Sequence, residues 1–174
     1  GRTMATLSAT GNRKVQAGFE PLVQGFIRVP YNDLDAIRTV AANSNNVVAV
    51  LVEPIQGEGG INIPDADYLQ GIRDLCDVNH WLMMLDEIQS GMGRTGEWFA
   101  WQHSDVLPDV ATLAKALGNG VPIGACLARG RAAEMMQPGT HGSTFGGKPL
   151  ACRAAITVLD VLKQEQLVDH TATL

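Results

Sequence analysis

The sequence predicts an α/β domain in three layers, a mostly parallel sheet flanked by helices on both faces. Three observations carry that expectation. Short, wholly apolar runs recur along the chain, and each stops at a polar or glycine-bearing turn. Amphipathic stretches lie between them, with apolar residues three or four positions apart. Punctuation comes from 19 glycines and 8 prolines, without a linker, an internal repeat or a low-complexity segment.

The elements follow in order. Gly25–Val29 is a short strand candidate, after which Asn32 or Asp33 caps a helix reaching about Ala42. Val47–Val52 is a continuous apolar strand. Asp65 is the expected cap of a second helix, in which Leu69, Ile72, Leu75 and Cys76 share one face. Trp81–Leu85 is the next apolar strand, and strands near Val110–Leu113 and Ile123–Ala128 follow Pro108. A short helix is expected from Arg131, then a longer one from about Pro149 to Gln164, with Leu150, Ala154, Val158 and Leu162 stepping by one turn. One domain over 1–174 is the expected organisation.

Composition removes several classes of function. The 174 residues are 45% hydrophobic and 18% charged, which argues against disorder. With 13 Lys and Arg against 18 Asp and Glu there is no basic stripe, so nucleic acid is not an expected partner. No apolar run approaches the roughly 18 residues of a membrane span, so no membrane partner is expected either. Cys76, Cys126 and Cys152 lie apart among small or apolar residues, which reads as buried thiols in a reducing, cytoplasmic compartment. Gly1-Arg2-Thr3, without an initiator Met, reads as the interior of a longer protein.

In a doubly covered sheet, ligands bind beyond the carboxyl ends of the strands. The run Trp81–Leu85 ends in Asp86-Glu87, which places carboxylates at that edge. Asp86 can pair there with a cationic ring nitrogen, a protonated base or a metal, or simply cap the next turn. Lys115 sits among Leu113, Ala114, Ala116 and Leu117. A desolvated lysine there is a nucleophile toward aldehydes, and the alternative is an ordinary snorkelling lysine. Together, Asp86 and Lys115 match the partnership of pyridoxal 5'-phosphate (PLP) sites, where Lys binds the aldehyde and Asp keeps the pyridine nitrogen protonated.

Other features are weaker. Glu53-Pro-Ile-Gln-Gly-Glu-Gly-Gly60 follows a strand, and its glycines admit a close ligand. Gly142-Ser-Thr-Phe-Gly-Gly147 precedes a helix and could hold phosphate oxygens. Gly118–Gly124 is no dinucleotide fingerprint, since its glycines precede the strand and Pro122 interrupts them. Arg2 could clamp a carboxylate. His80, His103 and His141 share no ligand spacing, so no metal site is expected. Trp98, Phe99 and Trp101 form either a packed cluster or a substrate wall.

With GRTMATLSATGN, EPIQGEGG, LDEIQSGMGRTG, TLAKALGNGVPIGA and HGSTFGGKPLA in one order, the chain resembles the class III PLP-dependent aminotransferases, most closely the acetylornithine aminotransferases. The resemblance implies the central part of a fold-type I PLP-dependent transferase large domain, with the N-terminal part and the C-terminal small domain lying outside 1–174. It implies PLP bound covalently to Lys115, with Asp86 on the ring nitrogen and Glu87, Ile88 and Gln89 at the cofactor. Ile88 would pack on the ring and Gln89 would reach its phenolic oxygen. Thr144 would cross a homodimer interface to the other subunit's cofactor phosphate. Ser143, Arg2 and Glu58 would meet the substrate, Arg2 at a carboxylate and Glu58 through a switch arginine. The implied reaction is transamination between N-acetylornithine and 2-oxoglutarate in arginine biosynthesis, with succinylornithine, ornithine or 4-aminobutyrate as alternative amines. An inactive folded piece of such an enzyme is the other alternative. The family's aromatic-His pair and phosphate loop would precede Gly1, its switch arginine would follow Leu174, and Lys148 stands where the family has Asn.

Overall fold

The computed structural model describes residues 3–174. Arg2 therefore lies outside the described residues. Two short helices come first, α1 (Met4–Ala9) and α2 (Arg13–Gln16). The carbonyls at the end of α1 are claimed from afar. Gln16 donates to Leu7 O and Thr10 O, while Arg28 donates to Thr10 O and Ser8 O. Helix ends need such partners, because their last carbonyls have none within the helix.

Helix α3 (Leu34–Asn43) starts where a cap was expected, with Asp33 accepting the Ala36 N–H at 2.8 Å. Strand β1 (Ala49–Val52), helix α4 (Tyr68–Asn79) and strand β2 (Leu82–Asp86) follow. Asp67, not Asp65, precedes the first turn of α4, and it makes no side-chain cap. Strands β3 (Val110–Leu113) and β4 (Ala125–Ala128) complete the sheet. Helices α5 (Gly130–Glu134), α6 (Pro149–Gln164) and α7 (Leu167–Ala172) close the chain. The strand order is β1-β2-β3-β4, parallel between the first three and antiparallel for the last pair.

Alternation in β2 sorts its side chains by face. Met83 and Leu85 are fully buried with Ile72 and Cys76 of α4 and Ile37 of α3. Leu82, Met84 and Asp86 point the other way and are half-buried. A second core joins Leu113, Leu117, Met92 and Ala155, with Val158 and Leu162 of α6 packed on it. The expected cover of both faces is uneven in this chain, since Leu51 on β1 is 50% exposed.

Two further expectations are corrected. Gly25–Val29 is not a strand, because that segment has no ladder partner and leaves Phe26 and Ile27 exposed. The thiols are not all buried. Cys76 is, and burial pushes its pKa up to about 11, but Cys126 on the edge strand β4 is exposed and Cys152 is intermediate. None of the described helices is long and apolar enough to cross a membrane.

Candidate active site

Parallel pairing of β1, β2 and β3 brings three strand ends to one edge of the sheet. Val52 stands opposite Leu85, and Asp86 opposite Thr112. Beyond these ends the chain runs into Glu53, Glu87 and Ala114-Lys115. Lys115 adopts φ 44°, the left-handed region that residues with a Cβ usually avoid. Such a conformation costs on the order of 1 kcal/mol and is held only where the surroundings enforce it. Here it breaks the line of β3 and sets Lys115 in the wall of an open cavity of about 660 Å³. The amine is therefore exposed, not desolvated by its apolar sequence neighbours as the sequence suggested.

The cavity lining is mixed. Ile55, Ile61, Ile63 and Ile88 are its apolar residues, and Ile61 and Ile63 present most of their surface to solvent. Gln56, Gln89, Arg94 and Thr95 join Lys115 among its polar ones. An aldehyde bound at this amine would share the cavity with the apolar side chain of Ile88 and the planar amide of Gln89, a mixture that suits an aromatic aldehyde with polar substituents.

Gln89 links two loops at this point. Its amide oxygen accepts from the backbone N–H of Glu58 at 3.1 Å and from Lys115 Nζ at 3.2 Å. Two donors facing one side of an amide assign that side to the oxygen. The loop that carries Glu58 is itself braced. Glu53 Oε2 accepts from Gly57 N–H at 2.9 Å, and Gln56 and Asn62 exchange backbone hydrogen bonds of 3.0 and 3.3 Å. Behind it, the Tyr31 hydroxyl donates to Pro54 O at 2.9 Å and Glu53 O at 3.2 Å. Burial raises the pKa of Tyr31, which keeps this hydroxyl a donor.

The remaining expected residues are placed unevenly. Asp86 lies at the end of β2, two residues before Ile88, and one of its oxygens accepts the Ile88 N–H at 3.0 Å. That is the turn-capping role. Its second oxygen has no hydrogen-bond partner among the described residues and remains available to a cation. Glu87 is not among the residues lining the cavity. It is 1% exposed, its carboxylate accepting from Ser90 Oγ at 2.6 Å and Trp101 N–H at 3.1 Å. Burial holds its pKa above the usual carboxylate value. With its carboxylate bonded inward, Glu87 braces the turn after β2 against Ser90 and Trp101. Glu58 brings its backbone N–H to Gln89 and leaves its side chain exposed. Ser143 and Thr144 lie on an exposed segment away from the cavity lining, where Ser143 Oγ accepts from Gly146 N–H at 2.9 Å.

Sequence reasoning passed over Gln56, Arg94 and Thr95. Arg94 is the one cation besides Lys115 among the described residues lining the cavity. The signal for it was the glycine pair Gly93 and Gly96 on either side. Both have positive φ, and Gly96 packs so closely on Ala172 that a Cβ would lie 2.7 Å from that backbone.

The aromatic cluster resolves as packing. Phe99 and Trp101 stack with centroids 4.1 Å apart, and Trp101 is buried in the first core.

Comparison with known proteins supplies the context. The profile of the family Aminotransferase class-III matches residues 1–174. The chain is 67% identical over 174 residues to acetylornithine aminotransferase of Nitrosomonas europaea, covering 100% of this chain and 44% of that protein. Among solved structures, the ornithine aminotransferase of Toxoplasma gondii, with PLP in partial occupancy at its active site, aligns with a TM-score of 0.90. That match has 44% identity over 97% of this chain and 40% of that one. Acetylornithine aminotransferase of Elizabethkingia anophelis aligns with a TM-score of 0.79 at 45% identity, over 84% of this chain and 39% of that one. The chain thus spans less than half the length of these relatives.

Proposed function

This chain belongs to the class-III aminotransferases, which are PLP-dependent, and from that membership we propose that residues 1–174 form the central part of the large, cofactor-binding domain of an acetylornithine aminotransferase. The enzyme would move the terminal amino group of N-acetylornithine to 2-oxoglutarate, yielding N-acetylglutamate semialdehyde and glutamate in arginine biosynthesis. One observation carries the reading: the strained backbone at Lys115 sets a primary amine in a cavity wall beside Ile88 and Gln89. When bound, PLP supplies an aldehyde for the substrate nitrogen and a ring that accepts electron density.

The chain's own residues divide the remaining work. Lys115 Nζ would be the nucleophile, and once free it would take the proton from the donor's amine-bearing carbon and, in the return half-reaction, deliver a proton to the carbon of 2-oxoglutarate that becomes amine-bearing. The free oxygen of Asp86 would hold the ring nitrogen in its protonated form. Ile88 would cover one face of the ring and exclude water from it. Gln89 Nε2 would donate to the phenolic oxygen. Arg2 would bind the substrate's carboxylate, Glu58 would act through a switch arginine, and Ser143 would meet the substrate. Thr144, exposed on its own chain, is suited to completing the phosphate site of a second copy in a cytoplasmic homodimer.

Ornithine is a second donor worth carrying, because an ornithine aminotransferase shares this fold at a TM-score of 0.90. The test compares glutamate formation from 2-oxoglutarate with N-acetylornithine, succinylornithine, ornithine and 4-aminobutyrate. We expect kcat/KM for N-acetylornithine to exceed those for ornithine and 4-aminobutyrate by about tenfold or more, roughly the discrimination available to a pocket that binds the acylated nitrogen, and to lie closer to that for succinylornithine, which carries the same group. Preference for ornithine would favour the second reading, and no glutamate from any amine would overturn both.

A further inference from the structure

We propose that Gly57 is a positioning residue for Lys115, acting through Gln89. The proposal rests on reading Lys115 as the reactive amine. Three observations support it. First, Gln89 accepts from both Glu58 N–H and Lys115 Nζ, which occupies both lone pairs of its amide oxygen. This leaves the two Nε2 hydrogens on the side of the amide that faces acceptors, in a side chain that lines the cavity. Second, to reach both donors the amide lies against residue 57. A Cβ there would stand 2.5 Å from Nε2 and from Oε1 of Gln89. Third, Gly57 is not among the glycines with positive φ, so its backbone conformation does not call for glycine. Space for the amide is what calls for it.

The consequence is a fixed polarity. Glu58 N–H turns the amide so that its oxygen restrains a lysine on a flexible four-carbon stem, while its nitrogen offers protons to an anionic ligand oxygen. Alanine at 57 keeps the N–H that bonds Glu53, and the three atoms nearest its methyl all belong to the movable end of Gln89. The turn should survive, and the amide should not keep its place.

The experiment reads three quantities on the protein without cofactor: hydrogen exchange at the Glu58 amide, the rate of reductive methylation of Lys115 relative to Lys163, and thermal stability. In Gly57→Ala we expect Glu58 exchange about tenfold faster, the loss of one hydrogen bond, and a Lys115 rate changed severalfold at near-parental stability. Gln89→Ala should do the same, and Gly57→Ala added to Gln89→Ala should change nothing further. If Gly57→Ala unfolds, rescue by Gln89→Ala supports the proposal and continued unfolding overturns it. Parental Glu58 exchange and Lys115 rate in a folded Gly57→Ala protein also overturn it, as does full additivity in the double variant. None of these readouts needs PLP, so they stand apart from the identification of the cofactor-bearing lysine.

Discussion

Arg73 NH1 donates to Asp109 Oδ2 at 2.9 Å, and the same oxygen accepts the Met83 N–H at 2.8 Å. One carboxylate thereby joins α4, the middle of β2 and the residue just before β3. Arg73 is also bonded to Asp77 at 2.7 Å, and its Nε is buried without a partner. The arrangement sets the height of β3 against β2, and β3 delivers Lys115. The scaffold beneath the site thus depends on a charge pair on the sheet's far side from the cavity edge.

Asp109→Ala should therefore destabilise the protein by about 2 to 3 kcal/mol, because it strands both the Arg73 guanidinium and the Met83 N–H. The contribution also depends on pH. Hydrogen bonds and Arg73 hold Asp109 below its ordinary pKa of 3.8. A depressed carboxylate stabilises the fold above its unfolded value, and that stability is lost as pH falls through the native one. Urea unfolding of parent and variant should differ most at neutral pH and converge in acid, as pH falls below 3.8 and through the depressed native value. A constant difference down to strong acid would remove the charge from the explanation.

Glu87 should behave in the opposite sense. Burial raises its pKa above 4.5 despite the bonds from Ser90 and Trp101. A raised carboxylate favours the fold below its unfolded pKa, and this advantage is lost as pH rises through the native value. Glu87→Gln keeps the shape and an acceptor for Trp101 N–H, so it should cost little at neutral pH and remove the titration. Glu87→Ala should cost about 2 to 4 kcal/mol through the cavity and the orphaned donors. Denaturant midpoints across pH 4 to 8 separate the two variants, and a Glu87→Gln protein as unstable as Glu87→Ala would sink this assignment.

Gly118→Ala tests the loop after Lys115. A Cβ at 118 would collide with the Val121 carbonyl oxygen and stand 2.7 Å from Ile123 Cγ2. The backbone oxygen cannot swing away as a side chain can, so the loop must open, at about 3 kcal/mol. Thermal unfolding should show it, and an unshifted melting temperature would show that the 118–123 loop yields freely.

Legibility in the sequence followed physical range. Periodicity reaches one element at a time, so β3 and α6 were readable to the residue and Asp33 was readable as a cap. Whether an apolar run becomes a strand depends on a partner, which is why Gly25–Val29 misled. The apolar neighbours of Lys115 are neighbours in sequence only, and a left-handed φ takes the side chain out of their company. The placement of Asp86 at the end of β2 and of Lys115 just beyond β3 was legible because each follows an apolar run. The contact of Gln89 with Glu58 was not, since it joins two loops that only the sheet brings together. The inward turn of Glu87 was not legible either, because its partner Trp101 lies 14 residues on.

The central claim is that Lys115 is the amine that bonds the cofactor aldehyde, and borohydride trapping tests it most directly. The protein is incubated with PLP, reduced with borohydride and mapped by peptide mass spectrometry. The account predicts one dominant adduct on Lys115, absent from Lys115→Ala. An adduct on Lys14, Lys148 or Lys163 with Lys115 unmodified, or one spread evenly over all four lysines, would contradict it.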